Sequence, residues 1–197
     1  ISHNNQSVDF TSVKQDGILG VLHKATQGMK FTDPDYQVRR PLALAAGLMW
    51  GAYHFGIGGD GTAQAQHFLS VVKPGPGDLL VLDLEADTQG ASMTLPEAED
   101  FVTYIHNATG IWPGLYSGEY IKDQLGNPAE TVLSNCWLWL AAYDTNPVVP
   151  KAWKDWTMWQ YTDGTNGSGP YTVNGIGKCD RDKFNGSLND LKNHWHK

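Results

Sequence analysis

Residues 79–87 read Leu-Leu-Val-Leu-Asp-Leu-Glu-Ala-Asp. Four aliphatic residues followed by acids at alternate positions are typical of a strand that is buried on both faces and emerges at its carboxyl end. Side chains alternate along a strand, so Asp83 and Glu85 should project from one face with their Cα atoms roughly 6.5–7 Å apart. The other face would carry Leu80, Leu82 and Leu84.

Two like charges at this spacing repel each other, and the less solvated carboxyl should hold its proton to higher pH. Asp83 and Glu85 are therefore candidates for a catalytic acid and its helper. The alternative is a strand whose last acids simply face water.

The length and composition favour one soluble domain over residues 1–197. Hydrophobic residues make up 41% of the chain and charged residues 18%, which argues against disorder. No apolar run is long enough to span a membrane, so we expect no membrane partner. The net charge of −7, without clustered Lys and Arg, also makes nucleic acid an unsuitable partner.

Strand and helix patterns alternate through five rounds and then change character. Short strands are predicted at 1–3, 20–25, 48–55, 79–87 and 111–116, and helices at 8–15, 33–46, 62–72 and 94–109. The helix over 33–46 should begin with Asp33 as its cap and Pro34 in its first turn. Thr94 and Glu97 have the spacing of a capping box, and Ala98, Phe101, Val102 and Ile105 should form that helix's buried stripe. Three further strands follow at 136–143, 157–161 and 178–182, before a final helix from Leu188.

This order predicts an α/β fold, a TIM-like barrel of parallel strands. Working residues of such barrels lie at the carboxyl ends of the strands, and polar or aromatic residues end nearly every predicted strand here. They are His3, Lys24, Tyr53, His54, Asp83, Glu85, Tyr116, Tyr143, Gln160, Tyr161, Asp180 and Asp182. A cleft at the carboxyl ends of the strands explains the shared position of these residues better than chance does.

Tryptophan is concentrated late in the chain, with six of the eight between Trp112 and Trp159. Sugar rings stack on aromatic faces, so some of these indoles are candidates for a carbohydrate site. Core packing is the preferred reading for Trp50, Trp112 and Trp137.

Cys136 and Cys179 are too few for a disulfide scaffold, and the seven histidines are scattered singly. We therefore expect no metal and no cofactor. One disulfide between the two cysteines is predicted if the protein is exported, the alternative being two buried small hydrophobes. The segment Ile1-Ser2-His3 has no signal-peptide pattern.

Several motifs, in order, resemble the family 25 glycoside hydrolases, the lysozymes that cleave peptidoglycan between N-acetylmuramic acid and N-acetylglucosamine. The resemblance runs from Ile1 to Gly186. Its motifs are Ile1-Ser2-His3, Lys24-Ala25-Thr26-Gln27-Gly28, Gly51-Ala52-Tyr53-His54-Phe55, Asp83-Leu84-Glu85, Leu138 to Tyr143, Trp159-Gln160-Tyr161, and Gly177 to Asp180 leading to Phe184-Asn185-Gly186. The resemblance implies an irregular barrel of five β/α units followed by three strands.

The resemblance also implies roles for individual residues. Glu85 would be the general acid/base, Asp83 its assistant and Asp180 a further carboxylate of the cleft. The substrate's own acetamide would serve as nucleophile, with retention of the anomeric configuration. Sugar subsites would be lined by Tyr53, Tyr116, Trp139 and Tyr143, with hydrogen bonds from Gln160 and Lys24. The implied partner is bacterial peptidoglycan, met by a secreted or wall-released monomer.

Two departures from the family pattern keep other functions open. The family usually has an Asp immediately before the Ile-Ser-His motif, whereas this chain begins at Ile1, and Gln27 stands where a Glu is usual. One alternative is a catalytically weak peptidoglycan-binding module on the same barrel. A chitinase-like hydrolase is the other, although the run of spaced aspartates typical of that family is missing before Glu85.

Overall fold

A mixed eight-stranded sheet with helices packed on its outer face organises the molecule. The structure, a computed structural model, describes residues 1–126 and 131–195. Its strands are β1 (Gly20–Gln27), β2 (Phe31–Thr32), β3 (Met49–Phe55), β4 (Asp78–Asp83), β5 (Gly114–Ser117), β6 (Trp137–Ala141), β7 (Met158–Thr162), β8 (Thr172–Val173), β9 (Gly177–Lys178) and β10 (Arg181–Phe184). Its helices are α1 (Phe10–Gln15), α2 (Tyr36–Ala45), α3 (Gly61–Val72), α4 (Leu95–Thr109), α5 (Glu119–Leu125) and α6 (Leu188–Trp195), with a 3₁₀ helix at Val132–Asn135.

The strand order in the main sheet is β10-β7-β6-β5-β4-β3-β1-β2. Strands β1 and β3 to β7 run parallel, whereas β2 and β10 are antiparallel to their neighbours. Among the described strands, β10 and β2 are the two edges of this sheet, so the barrel is open between them. The predicted α/β class and irregular TIM-like barrel are confirmed, and the opening distinguishes it from a closed barrel.

The first of the predicted β/α units is much reduced. Ile1 pairs with β1 through two backbone hydrogen bonds, donating to Leu22 O at 2.9 Å and accepting from Lys24 N at 2.9 Å. The chain turns at His3 and reaches α1, so residues 1–3 do not form the predicted strand.

The alternation predicted along β4 is confirmed. Leu80, Leu82 and Leu84 pack in the core between the sheet and the helices. Leu79 and Val81 belong instead to the cluster inside the barrel, the face on which Asp83 also projects. A buried strand thus delivers an acid to the carboxyl end of the barrel interior.

Helix α4 follows its sequence signals closely, whereas α2 does not. The capping box of α4 is formed, with Thr94 N donating to Glu97 Oε2 at 2.7 Å, and the predicted stripe from Ala98 to Ile105 is buried. Helix α2 begins at Tyr36, so the prediction that Asp33 caps it is wrong. Asp33 Oδ2 accepts from His3 N at 3.0 Å, and its carboxyl therefore holds the amino-terminal segment.

Helices α3 and α4 approach closely at Gly61. A Cβ at this position would lie 1.9 Å from the carbonyl oxygen of Glu97, so a larger residue would force the helices apart. None of the described helices is long and apolar enough to cross a membrane.

Helix α6 closes the amino-terminal end of the barrel interior. Leu191 and Trp195 are buried among interior side chains of the sheet, including Leu22 and Leu79. The Trp195 indole donates from Nε1 to Trp50 O at 2.7 Å. Its ring lies so close to Gly20 that a Cβ there would be 2.7 Å away.

The predicted disulfide is contradicted, because Cys136 and Cys179 are free, buried thiols. Cys136 precedes β6 at the amino end of the parallel strands. Cys179 precedes β10, whose first residue Arg181 pairs with Thr162 at the carboxyl end of β7. The two ends are separated by about six residues of strand, roughly 20 Å at about 3.3 Å per residue, whereas a disulfide needs Cα atoms within about 7 Å.

Candidate active site

A cavity of about 380 Å³ runs through the barrel interior, from Trp195 at the amino ends of the strands to Asp83 and Glu85 at their carboxyl ends. Its walls carry the three carboxylates that the sequence predicts for catalysis. Asp83 ends β4, Glu85 follows two residues later, and Asp180 enters from the segment just before β10. Residues far apart in the chain therefore meet in one cleft.

Asp83 is the most enclosed of the three, with 6% of its surface exposed. Burial raises the pKa of Asp83 well above its ordinary value, and the nearby Glu85 charge raises it further, while Lys24 opposes the shift. Its Oδ1 atom is buried and has no hydrogen-bond partner among the residues that the structure describes. A buried acceptor without a partner is costly unless a ligand satisfies it.

Glu85 is half-buried and reaches the open part of the cleft. Desolvation is the main reason that the pKa of Glu85 is raised, and the Asp180 carboxylate adds to the rise. Asp180 is exposed to the solvent of the cleft, yet the surrounding protein raises the pKa of its carboxyl as well. Burial and like charge therefore raise the pKa of both carboxyls of the β4 pair, and Asp83 is the less solvated of the two.

Lys24 on β1 brings a positive charge near the acids without lining the cavity. Its Nζ donates to Gln27 Oε1 at 2.6 Å and lies 4.8 Å from the ring centroid of Phe55. Desolvation lowers the pKa of Lys24, and the charge of Asp83 is the largest of those that oppose this. Gln27, one of the two departures from the family pattern, is therefore the residue that holds the lysine.

Aromatic side chains and one amide form the facing wall. Gln160 Oε1 accepts the hydroxyl of Tyr116 at 2.9 Å and that of Tyr143 at 2.8 Å. Trp139 meets Tyr116 edge-on, with ring centroids 4.7 Å apart. Tyr143 is 38% exposed at the rim and joins the wall through Gln160.

Tyr53 lines the same cavity from β3. Burial raises the pKa of its phenol well above the ordinary value, and the Asp83 charge adds to the effect. Its hydroxyl therefore stays protonated and can donate a hydrogen bond to a ligand.

Three more of the strand-end residues do not line the cleft, namely Tyr161, His54 and His3. The Tyr161 ring lies against Lys183, with 4.7 Å between Nζ and the ring centroid. His54 is buried under the helices, where it meets Thr26 Oγ1 at 2.7 Å and Gln64 Oε1 at 3.1 Å. Burial lowers the pKa of His54 to about 3, so it remains neutral. His3 is held at the rim by Asp33, with 2.7 Å between Nδ1 and Oδ2.

The cleft contains a fourth carboxyl, Asp182, which the sequence argument noted as a strand end without giving it a role. Its Oδ1 accepts the Trp139 indole N–H at 2.7 Å. Burial raises the pKa of Asp182 to about 7, although the side chain is reached by solvent within the cavity. The signal available in the sequence was the alternation of Asp180 and Asp182, which places both on the inner face of the sheet.

Comparison with known proteins gives a consistent result. The model for glycosyl hydrolases family 25 matches residues 1–170, which include Asp83 and Glu85 and stop short of Asp180. Lysozyme M1 of Streptomyces globisporus is 30% identical over 209 residues, covering 95% of this chain and 67% of that protein. The N,O-diacetylmuramidase of Chalaropsis sp is 28% identical, covering 98% of this chain and 95% of that protein. The crystal structure of the bacterial lysozyme from Streptomyces coelicolor is similar with a TM-score of 0.86 and 29% identity, over 98% of this chain and 93% of that one.

An open α/β barrel whose cleft gathers paired carboxylates beside an aromatic wall defines a glycoside hydrolase. The chain belongs to glycosyl hydrolases family 25 and is a lysozyme-type glycosidase. It is thereby placed among the peptidoglycan-degrading hydrolases of the lysozyme and muramidase class.

Proposed function

We propose that this protein cleaves the β-1,4 bond between N-acetylmuramic acid and N-acetylglucosamine in bacterial peptidoglycan, with retention and by substrate-assisted catalysis. The observation that carries the proposal is the pair formed by Asp83 and Glu85, one enclosed and one accessible, at the carboxyl end of β4. Glycosidases need two carboxyl groups in different protonation states beside the scissile bond.

Glu85 is the general acid in this proposal. The Asp83 carboxyl is enclosed, whereas Glu85 faces the space that a glycosidic oxygen would occupy. Its raised pKa keeps a proton available for the leaving oxygen to a higher pH than an ordinary glutamate would. After the glucosamine unit departs, the Glu85 carboxylate takes a proton from water.

Asp83 orients the acetamide of the muramic acid unit. The unpartnered Oδ1 of Asp83 accepts the acetamide N–H, which turns the acetamide oxygen towards the anomeric carbon. That oxygen forms a bond to the anomeric carbon as the glycosidic bond breaks and Glu85 protonates the leaving oxygen. Water then opens the cyclic intermediate from the opposite face, and two displacements together retain the anomeric configuration.

The remaining predicted residues would position the sugars. The aromatic wall of Tyr116, Trp139 and Tyr143 offers stacking faces, and Gln160 holds it together. Tyr53 and Lys24 would add hydrogen bonds from the other side, and the Asp180 charge helps to keep Glu85 protonated. We also propose that the protein acts as a monomer at the bacterial cell wall after secretion or release.

The decisive experiment is mass spectrometry of purified peptidoglycan after digestion. New reducing ends on muramic acid are expected, and reducing ends on glucosamine would instead indicate a chitinase-like specificity. Binding of walls without release of fragments would indicate the non-catalytic module. Early proton NMR of a cleaved oligosaccharide should show the retained anomer first, and an initial inverted anomer would overturn the substrate-assisted route.

A further inference from the structure

The Asp182 carboxyl lies in the same cavity as three other carboxyl groups. It lies on the inner face of β10, opposite Gln160 on β7, in a cavity that already holds Asp83, Glu85 and Asp180. A fourth carboxyl there adds like-charge repulsion, which an apolar side chain would avoid. The hydrogen bond from Trp139 offers a reason for an acid at this position.

That contact is the first link of a connected wall. Asp182 Oδ1 accepts from Trp139 Nε1 at 2.7 Å, and the Trp139 ring packs edge-on against Tyr116 with centroids 4.7 Å apart. The Tyr116 hydroxyl donates to Gln160 Oε1, which also accepts from Tyr143. The indole has a single N–H donor, so its hydrogen bond to Asp182 fixes the orientation of the Trp139 ring.

We infer that Asp182 is a positioning residue for sugar binding, which holds Trp139 and, through it, the Tyr116–Gln160–Tyr143 wall in the orientation that a sugar ring meets. The inference rests on the proposed function for the identity of the ligand. Asp182 itself touches the indole and not the scissile bond, so its loss should weaken substrate binding more than it slows the chemical step.

The test compares two substitutions that differ in one property. Asp182→Leu keeps the branching and the number of side-chain heavy atoms but has bulkier methyl groups and no acceptor. Asp182→Asn keeps the size and an oxygen that the indole N–H can still reach. With soluble peptidoglycan fragments, Asp182→Leu should raise KM about tenfold and change kcat less than about twofold, the range of a lost hydrogen bond to a charged group. Asp182→Asn should stay within about threefold of the wild-type KM on the same grounds.

A spectroscopic measurement separates positioning from general structural damage. In ¹⁵N-labelled protein, the Trp139 indole N–H resonance is assigned by its loss in Trp139→Phe. That resonance should move in Asp182→Leu and remain near its wild-type position in Asp182→Asn. Trp137→Phe is the matched control, since Trp137 lies two residues earlier on β6, packs against Gly114 and should leave the Trp139 signal unmoved.

Coupling provides the last check. If Asp182 acts through Trp139, the double variant Asp182→Leu/Trp139→Phe should raise KM no more than the larger single substitution does. An additive double variant, equal KM values for Asp182→Leu and Asp182→Asn, or an unmoved indole resonance would each overturn the inference. A wild-type protein that releases no muramic acid ends would overturn the proposed function instead, while the resonance would still report on the Asp182–Trp139 bond.

Discussion

Asp83 and Glu85 sit two residues apart, and the structure gives them unlike surroundings. Asp83 closes a buried strand, whereas Glu85 lies just beyond it, where the chain meets the cleft. The same period-two spacing thus yields one carboxyl that is enclosed and one that is accessible, which is what a division between acid and helper requires.

Replacing Glu85 by Gln should keep the shape of the side chain and remove its transferable proton. We expect kcat on peptidoglycan to fall by about 10²–10⁴-fold, the usual contribution of general acid catalysis, and Asp83→Asn to fall comparably. Glu119→Gln is the matched control, because Glu119 is an exposed glutamate on α5 paired with Lys122. If Glu85→Gln cleared cell walls at the wild-type rate, Glu85 would not be the general acid.

The raised pKa of Asp182 predicts how the stability of the folded protein depends on pH. Burial raises its pKa from 3.8 to about 7, so the folded protein holds this proton more tightly than the unfolded chain does. The associated stability is present below about pH 4 and declines as pH rises through about 7. Asp182→Asn does not ionise, so its melting temperature should exceed that of the wild type more at pH 8 than at pH 4, by an amount that the solvent exposure of Asp182 keeps small.

The control for this measurement is Asp190→Asn, for which the sign is opposite. Hydrogen bonds from Ser187 lower the pKa of Asp190, so loss of that carboxylate should reduce stability at pH 8. Equal melting curves for Asp182→Asn and wild type at both pH values would contradict the raised pKa.

Single residues were predictable where a local rule governs them. The inward face of Asp83 follows from alternation along one strand, and the capping box of α4 from the spacing of Thr94 and Glu97. The Trp139 to Asp182 bond joins β6 to β10, and that pairing depends on how the sheet curls rather than on any local pattern.

At the scale of elements, α6 shows the limit of periodicity. The final helix from Leu188 was predicted and is confirmed. Its amphipathic pattern indicates a buried face without saying what covers it, and the structure places that face inside the barrel rather than on the outer helical layer. The short first unit is a similar case, since Ile1 pairs with β1 as a single residue.

The Trp195 side chain should account for much of what α6 contributes to stability. Trp195→Ala removes a buried ring and its bond to Trp50 O, and we expect a loss of about 3–5 kcal/mol in the free energy of unfolding. Leu188→Ala, at a 48% exposed position of the same helix, should change it by less than about 0.5 kcal/mol. Urea denaturation of both variants measures the difference, and comparable losses would show that α6 is not anchored through Trp195.

For the whole molecule, the predicted barrel is confirmed. The sequence did not predict that the barrel is open between β10 and β2. Alternating strand and helix patterns indicate that neighbouring strands are parallel. They do not indicate whether the last strand pairs with the first. Here β10 reverses direction against β7, and the edges remain apart in the described sheet. The same geometry separates the two cysteines that the sequence argument paired.

Thiol counting tests that separation. Titration under denaturing conditions should find two free thiols per chain in carefully oxidised protein. In the native state both should react slowly, since burial raises the pKa of Cys136 to about 12 and also raises that of Cys179. A single Cys136–Cys179 bridge on mass analysis would show that the two ends of the strands come together.

The late position of β10 has a consequence for biosynthesis. A nascent chain that has reached residue 170 contains Asp83 and Glu85, but Asp180, Asp182 and the closing helix α6 are still to be translated. The cleft is therefore complete only after the ribosome has passed residue 195. Formation of the catalytic cleft is thus one of the last steps of folding during synthesis, because it needs β10 and α6.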